Sequence, residues 1–254
     1  MKRREGRSGI YLLPNLLTTA SLFMAFYSIV SSLQGQYDSA AIAIFIGMIT
    51  DGLDGRLARM TNTQTAFGAE YDSLSDMVTF GVAPALLLFS WDLHLLGKLG
   101  WLVSFMYTAA VALRLARFNT QLETADKRYF QGLSCTAAAG MISAYVWLCY
   151  QHDWPVGFVS GATVILSVFA AVVMVSNVRY HSFKQIDFKG KIPFFYVLLV
   201  VILFMAVAAN PSWVTFIAFT LYALSGPLQT FRAMQKARIK RRKIRKARAE
   251  RQKN

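Results

Sequence analysis

Apolar residues in this chain come in long unbroken runs, not in the alternating or three-to-four-residue rhythms of a water-soluble fold. Eight such runs can be read, at roughly 14–34, 38–55, 77–91, 99–118, 132–150, 155–176, 193–209 and 212–230. Continuous apolarity argues for helices over a β-barrel, whose strands alternate, and most runs approach the ~20 residues a helix needs to cross a bilayer. The pattern predicts an all-α integral membrane protein, a bundle of about eight transmembrane helices. A basic N-terminal arm and juxtamembrane segment would occupy 1–13, one membrane domain 14–231 and a basic tail 232–254, with no internal repeat. Gly157-x-x-x-Gly161 would permit a close helix approach.

Composition supports that reading: 55% of the 254 residues are hydrophobic, and the mean hydropathy is +0.39, too apolar for a soluble domain of this size. Charge adds the orientation. With both termini placed in the cytoplasm, every Lys and Arg except Lys98 falls on the cytoplasmic side, while the turns near Gly35–Asp38, His152–Pro155 and Asn210–Ser212 carry none. This is the positive-inside pattern, and it predicts a multi-pass membrane protein with an even number of spans. The long first run, followed directly by Gln34-Gly35-Gln36, argues against a cleavable signal. His94, His152 and His181 are scattered without zinc-like spacing, and Cys135 and Cys149 are too far apart on one helix to bridge. The tail from Arg232 reads as an orientation anchor or as a strip adhering to anionic lipid headgroups, worth roughly 1 kcal/mol per basic residue near the surface. Nucleic acid is not an expected partner, because the run lacks interleaved aromatics.

The chemistry is concentrated between Asp51 and Asp76. The segment reads Asp51-x-x-Asp54-Gly55-x-x-Ala58-Arg59, eight further residues, then Gly68-x-x-x-Asp72-x-x-x-Asp76. Carboxylates beside membrane-grade sequence are costly and call for compensation. At ~100° per residue, Asp51, Asp54, Gly55 and Ala58 share one helical face with Arg59 at its edge, and Asp72 and Asp76 share a face of the next helix. The Thr61–Thr65 segment offers turn and N-cap residues between them. Four converging carboxylates suit hard divalent cations, Mg²⁺ or Mn²⁺, two per active site. Two metals about 4 Å apart suit displacement at phosphorus. Gly55 and Gly68 leave room for a phosphate or nucleotide near the backbone, and Arg59 offers a planar fork for phosphate. The site would face the cytoplasm.

These residues match every fixed position of D-x2-D-G-x2-A-R-x8-G-x3-D-x3-D, and the chain thereby resembles the CDP-alcohol phosphatidyltransferase family. The resemblance implies a dimeric bundle of membrane helices acting on CDP-diacylglycerol or another CDP-alcohol. It implies metal ligation by Asp51, Asp54, Asp72 and Asp76, with Asp76 also the general base, and binding of the cytidine nucleotide and its phosphates by Gly55, Arg59 and Gly68. Asn15 and Thr65 join that set as further candidates.

Other stretches resemble the membrane-integral phosphatidylserine synthases within the family. They are Pro14-Asn15-Leu16-Leu17-Thr18, Glu70–Asp76 with Phe80-Gly81-Val82-Ala83-Pro84, Arg114–Asn119, Phe130–Leu133 and Met174–Tyr180. The chain departs from them at Ser134-Cys135-Thr136, where relatives usually carry prolines. L-serine is the acceptor this likeness implies, giving phosphatidylserine and CMP. Its carboxylate would need a cation, for which Arg114, Arg117 and Arg179 are candidates, with Asn119 a polar neighbour. Glycerol 3-phosphate, an inositol phosphate or another small alcohol remain alternative acceptors. A divalent-cation transporter is the alternative of another class, though transport would want polar groups near the midplane on broken helices.

Overall fold

The computed structural model describes residues 12–61, 63, 65–121, 129–181 and 194–251. Helices dominate them. In chain order they are α1 (Leu12–Leu33), α2 (Tyr37–Thr61), α3 (Ala66–Asp76), a π-helical segment (Met77–Val82), α4 (Ala83–Trp91), a 3-10 turn (Leu93–Leu96) and α5 (Lys98–Gln121). There follow β1 (Tyr129–Gln131), α6 (Cys135–Gln151), α7 (Ser160–Val175), β2 (Arg179–His181), α8 (Phe194–Ala209) and α9 (Pro211–Arg251). Among the described residues, four helical stretches are long and apolar enough to cross a membrane: Leu13–Leu33, Ala66–Trp91, Lys98–Thr120 and Pro211–Arg232. This is a membrane protein, and among the described residues the regular structure is helical apart from one small ribbon.

The other helices fall outside that set for different reasons: α7 and α8 are strongly apolar but only 16 residues long, while α6, with 17 residues, and α2 differ in what surrounds them. α6 packs chiefly on α9 and α2, and thirteen of its seventeen residues are buried. A helix that meets protein on all sides is built from Ala, Gly, Ser and Cys and needs no lipid-grade surface. Gly140 lies against the ring of Phe219, where a Cβ would come within 2.6 Å of Cζ. α2 loses hydropathy through its last three turns, which carry Asp51, Asp54, Arg56 and Arg59.

Several boundaries differ from those expected, each for a local reason. The third run extends back to Ala66, because Thr65 caps the helix by accepting the Gly68 N–H at 2.9 Å. The run at 155–176 begins as helix only at Ser160. Gly157 has φ +92°, and its N–H, with the Ser160 hydroxyl at 2.7 Å, binds the fully buried carboxylate of Asp92. The expected close approach at Gly157-x-x-x-Gly161 is therefore not present: a Cβ on either glycine would meet nothing within 4 Å. The departure at Ser134-Cys135-Thr136 leaves α6 well started, since Ser134 accepts the Ala137 N–H at 3.1 Å. α9 continues as a single helix past Pro227 and through the basic tail to Arg251.

The ribbon was not expected. β1 and β2 pair antiparallel, Phe130 opposite Tyr180, and tie the α5–α6 connection to the end of α7. Gly132, at φ +77°, turns so tightly that a Cβ would lie 2.2 Å from the Met174 carbonyl oxygen. Tyr180 anchors the ribbon to α9: its hydroxyl donates to the Ala223 carbonyl at 2.7 Å. Its ring lies flat over Gly226, where a Cβ would fall 2.3 Å from Cζ. Gly226→Ala should therefore lower stability by about 1–3 kcal/mol through overpacking, read as a depressed unfolding midpoint in detergent, despite alanine's better helix propensity.

Candidate active site

α2 and the α3–α4 span run antiparallel, joined across the Thr61–Thr65 turn, so the last turns of one face the first turns of the other. This brings carboxylate oxygens of Asp51, Asp72 and Asp76 within 4.8 Å of one another. The carboxyls of Asp51 and Asp76 are within hydrogen-bonding contact, and Asp72 and Asp76 both feel the charges of Asp51 and Asp54. Asp54 sits just beside this trio. It is buried, with 4% of its surface exposed, and its Oδ2 accepts a 2.7 Å hydrogen bond from Thr18 of α1.

Thr18 also binds the Pro14 carbonyl at 3.2 Å, while the Ser75 hydroxyl donates to the Thr18 carbonyl at 3.2 Å. One α1 residue thus braces an aspartate of α2 and the α3 turn before Asp76. Nothing in the aspartate motif names Thr18. Its signal lay in the separate Pro14–Thr18 stretch, where Pro14 and Thr18 are one helical turn apart.

The acid cluster opens onto a cavity of about 240 Å³, lined by Pro14, Asn15, Thr18, Asp54, Gly55, Ala58, Arg59, Thr63, Thr65, Gly68, Ala69 and Asp72. The two glycines have different surroundings. At Gly55 the nearest atom to an added Cβ is Arg59 Nη2 at 4.0 Å, so the space before it is open. At Gly68 a Cβ would meet Thr65 Oγ1 at 3.1 Å and Asn15 Oδ1 at 3.3 Å. Asn15, Arg59 and Thr65 all line the cavity with both glycines.

The carboxylate set fits divalent cations. Asp72 Oδ1 is buried and has no hydrogen-bond partner among the described residues, and two carboxyls in contact require a proton or a cation between them. Oxygen donors alone suit Mg²⁺ or Mn²⁺.

The arginines proposed for an acceptor separate into distinct environments. Arg117 is fully engaged by protein: Nη1 donates to the Val175 carbonyl at 3.2 Å, and Nη2 to Gln131 and Asn177. It clamps α5 to the ribbon and the end of α7. Arg114 is different. Its Nη1 donates to the thiol of Cys135 at 3.2 Å, and its buried Nε has no partner among the described residues. Cys135 lies within the field of both Arg114 and Asp76, which puts this guanidinium on the acid cluster's side of the bundle. Asn119 donates to Ser73, between Asp72 and Asp76 in sequence, at 3.1 Å. Arg179 lies on β2 opposite Gln131; its side chain is outside the described residues.

The unlike glycines generate opposite expectations for stability. Gly55→Ala should stabilise α2 by about 0.5–1 kcal/mol, since alanine is the better helix former, while lowering affinity for a cytidine nucleotide by crowding the open space it faces. Gly68→Ala should lower both, because its Cβ presses on the Thr65 cap. Thermal midpoints and CMP titrations of the two variants check both.

A model of the CDP-alcohol phosphatidyltransferase family matches residues 11–176, a stretch that holds the acid cluster, the cavity and both arginines. The chain is 36% identical over 217 residues to a CDP-diacylglycerol--serine O-phosphatidyltransferase of Helicobacter pylori, covering 85% of this chain and 90% of that one. It is 32% identical over 173 residues to the Bacillus subtilis protein of the same name, covering 68% of this chain and 92% of that one. An archaetidylserine synthase of Methanothermobacter thermautotrophicus is 32% identical over 170 residues, covering 66% of this chain and 69% of that one. By motif, by helical setting and by these comparisons, this chain belongs to the CDP-alcohol phosphatidyltransferase family.

Proposed function

We propose that this enzyme transfers the phosphatidyl group of CDP-diacylglycerol to the hydroxyl of L-serine, giving phosphatidylserine and CMP. The observation that carries the reading is the convergence of Asp51, Asp72 and Asp76 beside a glycine-lined cavity that also holds Asp54 and Arg59. Serine as acceptor is supported by the relatives whose names specify it.

Asp51, Asp54, Asp72 and Asp76 would hold two Mg²⁺ or Mn²⁺ ions. When bound, such ions neutralise phosphate oxygens and stabilise a leaving oxygen. The protein's own part begins with the nucleotide. Gly55 and Gly68 let the phosphates near the backbone, Arg59 pairs with them, and Asn15 and Thr65 flank them. Asp76 takes the proton of the serine hydroxyl. The serine oxygen then bonds to the lipid-linked phosphorus as the bond to the CMP oxygen breaks, and CMP departs with the electron pair. Arg114, whose Nε has no partner among the described residues, receives the serine carboxylate. Arg117 keeps the ribbon and α7 in place beside it, and Asn119 holds Ser73 between the two α3 aspartates.

The setting follows from the same logic. We read the helices as eight passes, the α3–α4 span counting as one, in a bacterial inner membrane with both termini cytoplasmic, a placement that the distribution of Lys and Arg supports. Serine and CMP then exchange with the cytoplasm while the lipid stays in the bilayer. The tail after Arg232 meets anionic headgroups, and the family resemblance supports a homodimer.

The test is CMP release by the purified protein from CDP-diacylglycerol with Mg²⁺ or Mn²⁺ and a panel of alcohols. Release with serine is expected; release with glycerol 3-phosphate but not serine would overturn the acceptor, and none with any alcohol the whole reading. Asp76→Asn should cut turnover by about 100- to 10,000-fold while CMP binding persists. Arg114→Ala should raise KM for serine by about 10- to 100-fold, the loss of one charge-assisted contact, while leaving KM for the lipid near its original value.

A further inference from the structure

The span that carries Asp72 and Asp76 is not a uniform helix. Immediately after Asp76 it widens into a π-helix over Met77–Val82, where the Ala83 N–H bonds the Val78 carbonyl five residues back. Pro84 supplies the cause. It has no N–H, and in a continuous α-helix its ring would strike the carbonyl four residues earlier, that of Phe80. The Phe80 carbonyl would also take its α-helical bond from residue 84, which has none to give.

A second helix fills the place. The hydroxyl of Tyr107, on α5, donates to the Phe80 carbonyl at 2.8 Å, and Tyr107 is fully buried. The wide turn is held closely on other sides. A Cβ on Gly81 would lie 3.2 Å from Val111 and 3.4 Å from Met77 Sδ, and Thr79 Cγ2 is 3.0 Å from the Cβ position of Gly47 on α2. Below the turn, α4 is fixed by the buried Leu87, Leu88 and Trp91.

A π-turn holds one residue more than an α-turn. Closing it would rotate everything on its cytoplasmic side by about 100° against the anchored α4. That rotation would carry Asp72 and Asp76 away from Asp51. We propose that Tyr107 is a positioning residue for the acid cluster: its hydroxyl keeps the π-turn open beside Pro84, and the open turn aims Asp76 and Asp72 at the α2 aspartates. Tyr107 touches neither substrate nor cluster, and acts through the backbone of Phe80. The effect on turnover rests on the phosphatidyl transfer proposed above; the effect on cation binding does not.

The test compares the full-length wild type, Tyr107→Phe, Pro84→Ala and the double variant. It reads Mn²⁺ affinity by electron paramagnetic resonance of the free ion, CMP release with serine, and the unfolding midpoint. Tyr107→Phe removes only the hydroxyl. It should weaken Mn²⁺ binding severalfold and lower kcat by about 10- to 100-fold through misalignment, with KM for CDP-diacylglycerol changed less than about twofold. Pro84→Ala in the Tyr107→Phe background returns an N–H to the Phe80 carbonyl. The double variant should therefore regain its unfolding midpoint while Mn²⁺ affinity and kcat stay low.

Wild-type Mn²⁺ affinity and kcat in Tyr107→Phe would overturn the proposal. So would a double variant that regains both together with its stability, since the hydroxyl would then serve folding alone. If Tyr107→Phe alone does not yield folded protein, the double variant decides: weakened Mn²⁺ binding is expected, and wild-type binding overturns the claim. A wild type that binds Mn²⁺ yet releases no CMP with any alcohol would remove the transfer reading and leave the positioning role to stand on Mn²⁺ affinity.

Discussion

The structure is organised around the cost of keeping carboxylates together at the edge of a membrane bundle. Asp51, Asp72 and Asp76 bring their oxygens within 4.8 Å of one another, with buried Asp54 alongside. Without compensation such a group repels itself and resists ionisation. The protein supplies part of the compensation through Thr18, whose hydroxyl holds Asp54. A bound cation would supply the rest, and Asp72 Oδ1, buried and without a partner among the described residues, is open to one. Elsewhere the bundle can be understood as the frame for this arrangement. The centrally buried α6 packs α2 and α9 around itself, and Tyr180 ties the ribbon to α9.

Much of this was legible in the sequence because the signals were local. Asp51, Asp54 and Gly55 declare a helical face by spacing alone, and α2 does run through Arg59 to Thr61. Thr65 was readable as a turn or cap residue, and it is the N-cap of α3. The cavity gathers Asn15, Gly55, Arg59, Thr65 and Gly68, five residues drawn from three sequence segments. Asn15 and Thr65 lie outside the fixed positions of the motif, and only their place in matching stretches pointed to them.

What the sequence hid was non-local. The pairing of Phe130 with Tyr180 joins residues fifty positions apart, and three-residue strands leave no periodicity to detect. The two arginines at Arg114 and Arg117 look equivalent on a helical wheel. Only tertiary contacts reveal that Arg117 is taken up by Val175, Gln131 and Asn177, while the Arg114 Nε has no partner among the described residues. The π-turn lies between these extremes. Pro84 marks a disturbance in the helix, but its resolution as a π-segment depends on Tyr107 arriving from α5. Gly157-x-x-x-Gly161 shows the converse: a small-residue pattern near a helix start, with no helix packed against it.

In the proposed mechanism the four aspartates form one binuclear cation site at the mouth of the cavity. Locating Mn²⁺ by anomalous diffraction from crystals of the protein with bound CMP tests it most directly. Two ions per chain, about 4 Å apart and ligated by Asp51, Asp54, Asp72 and Asp76, are expected. A single ion, or ions bound away from these carboxylates, would contradict it.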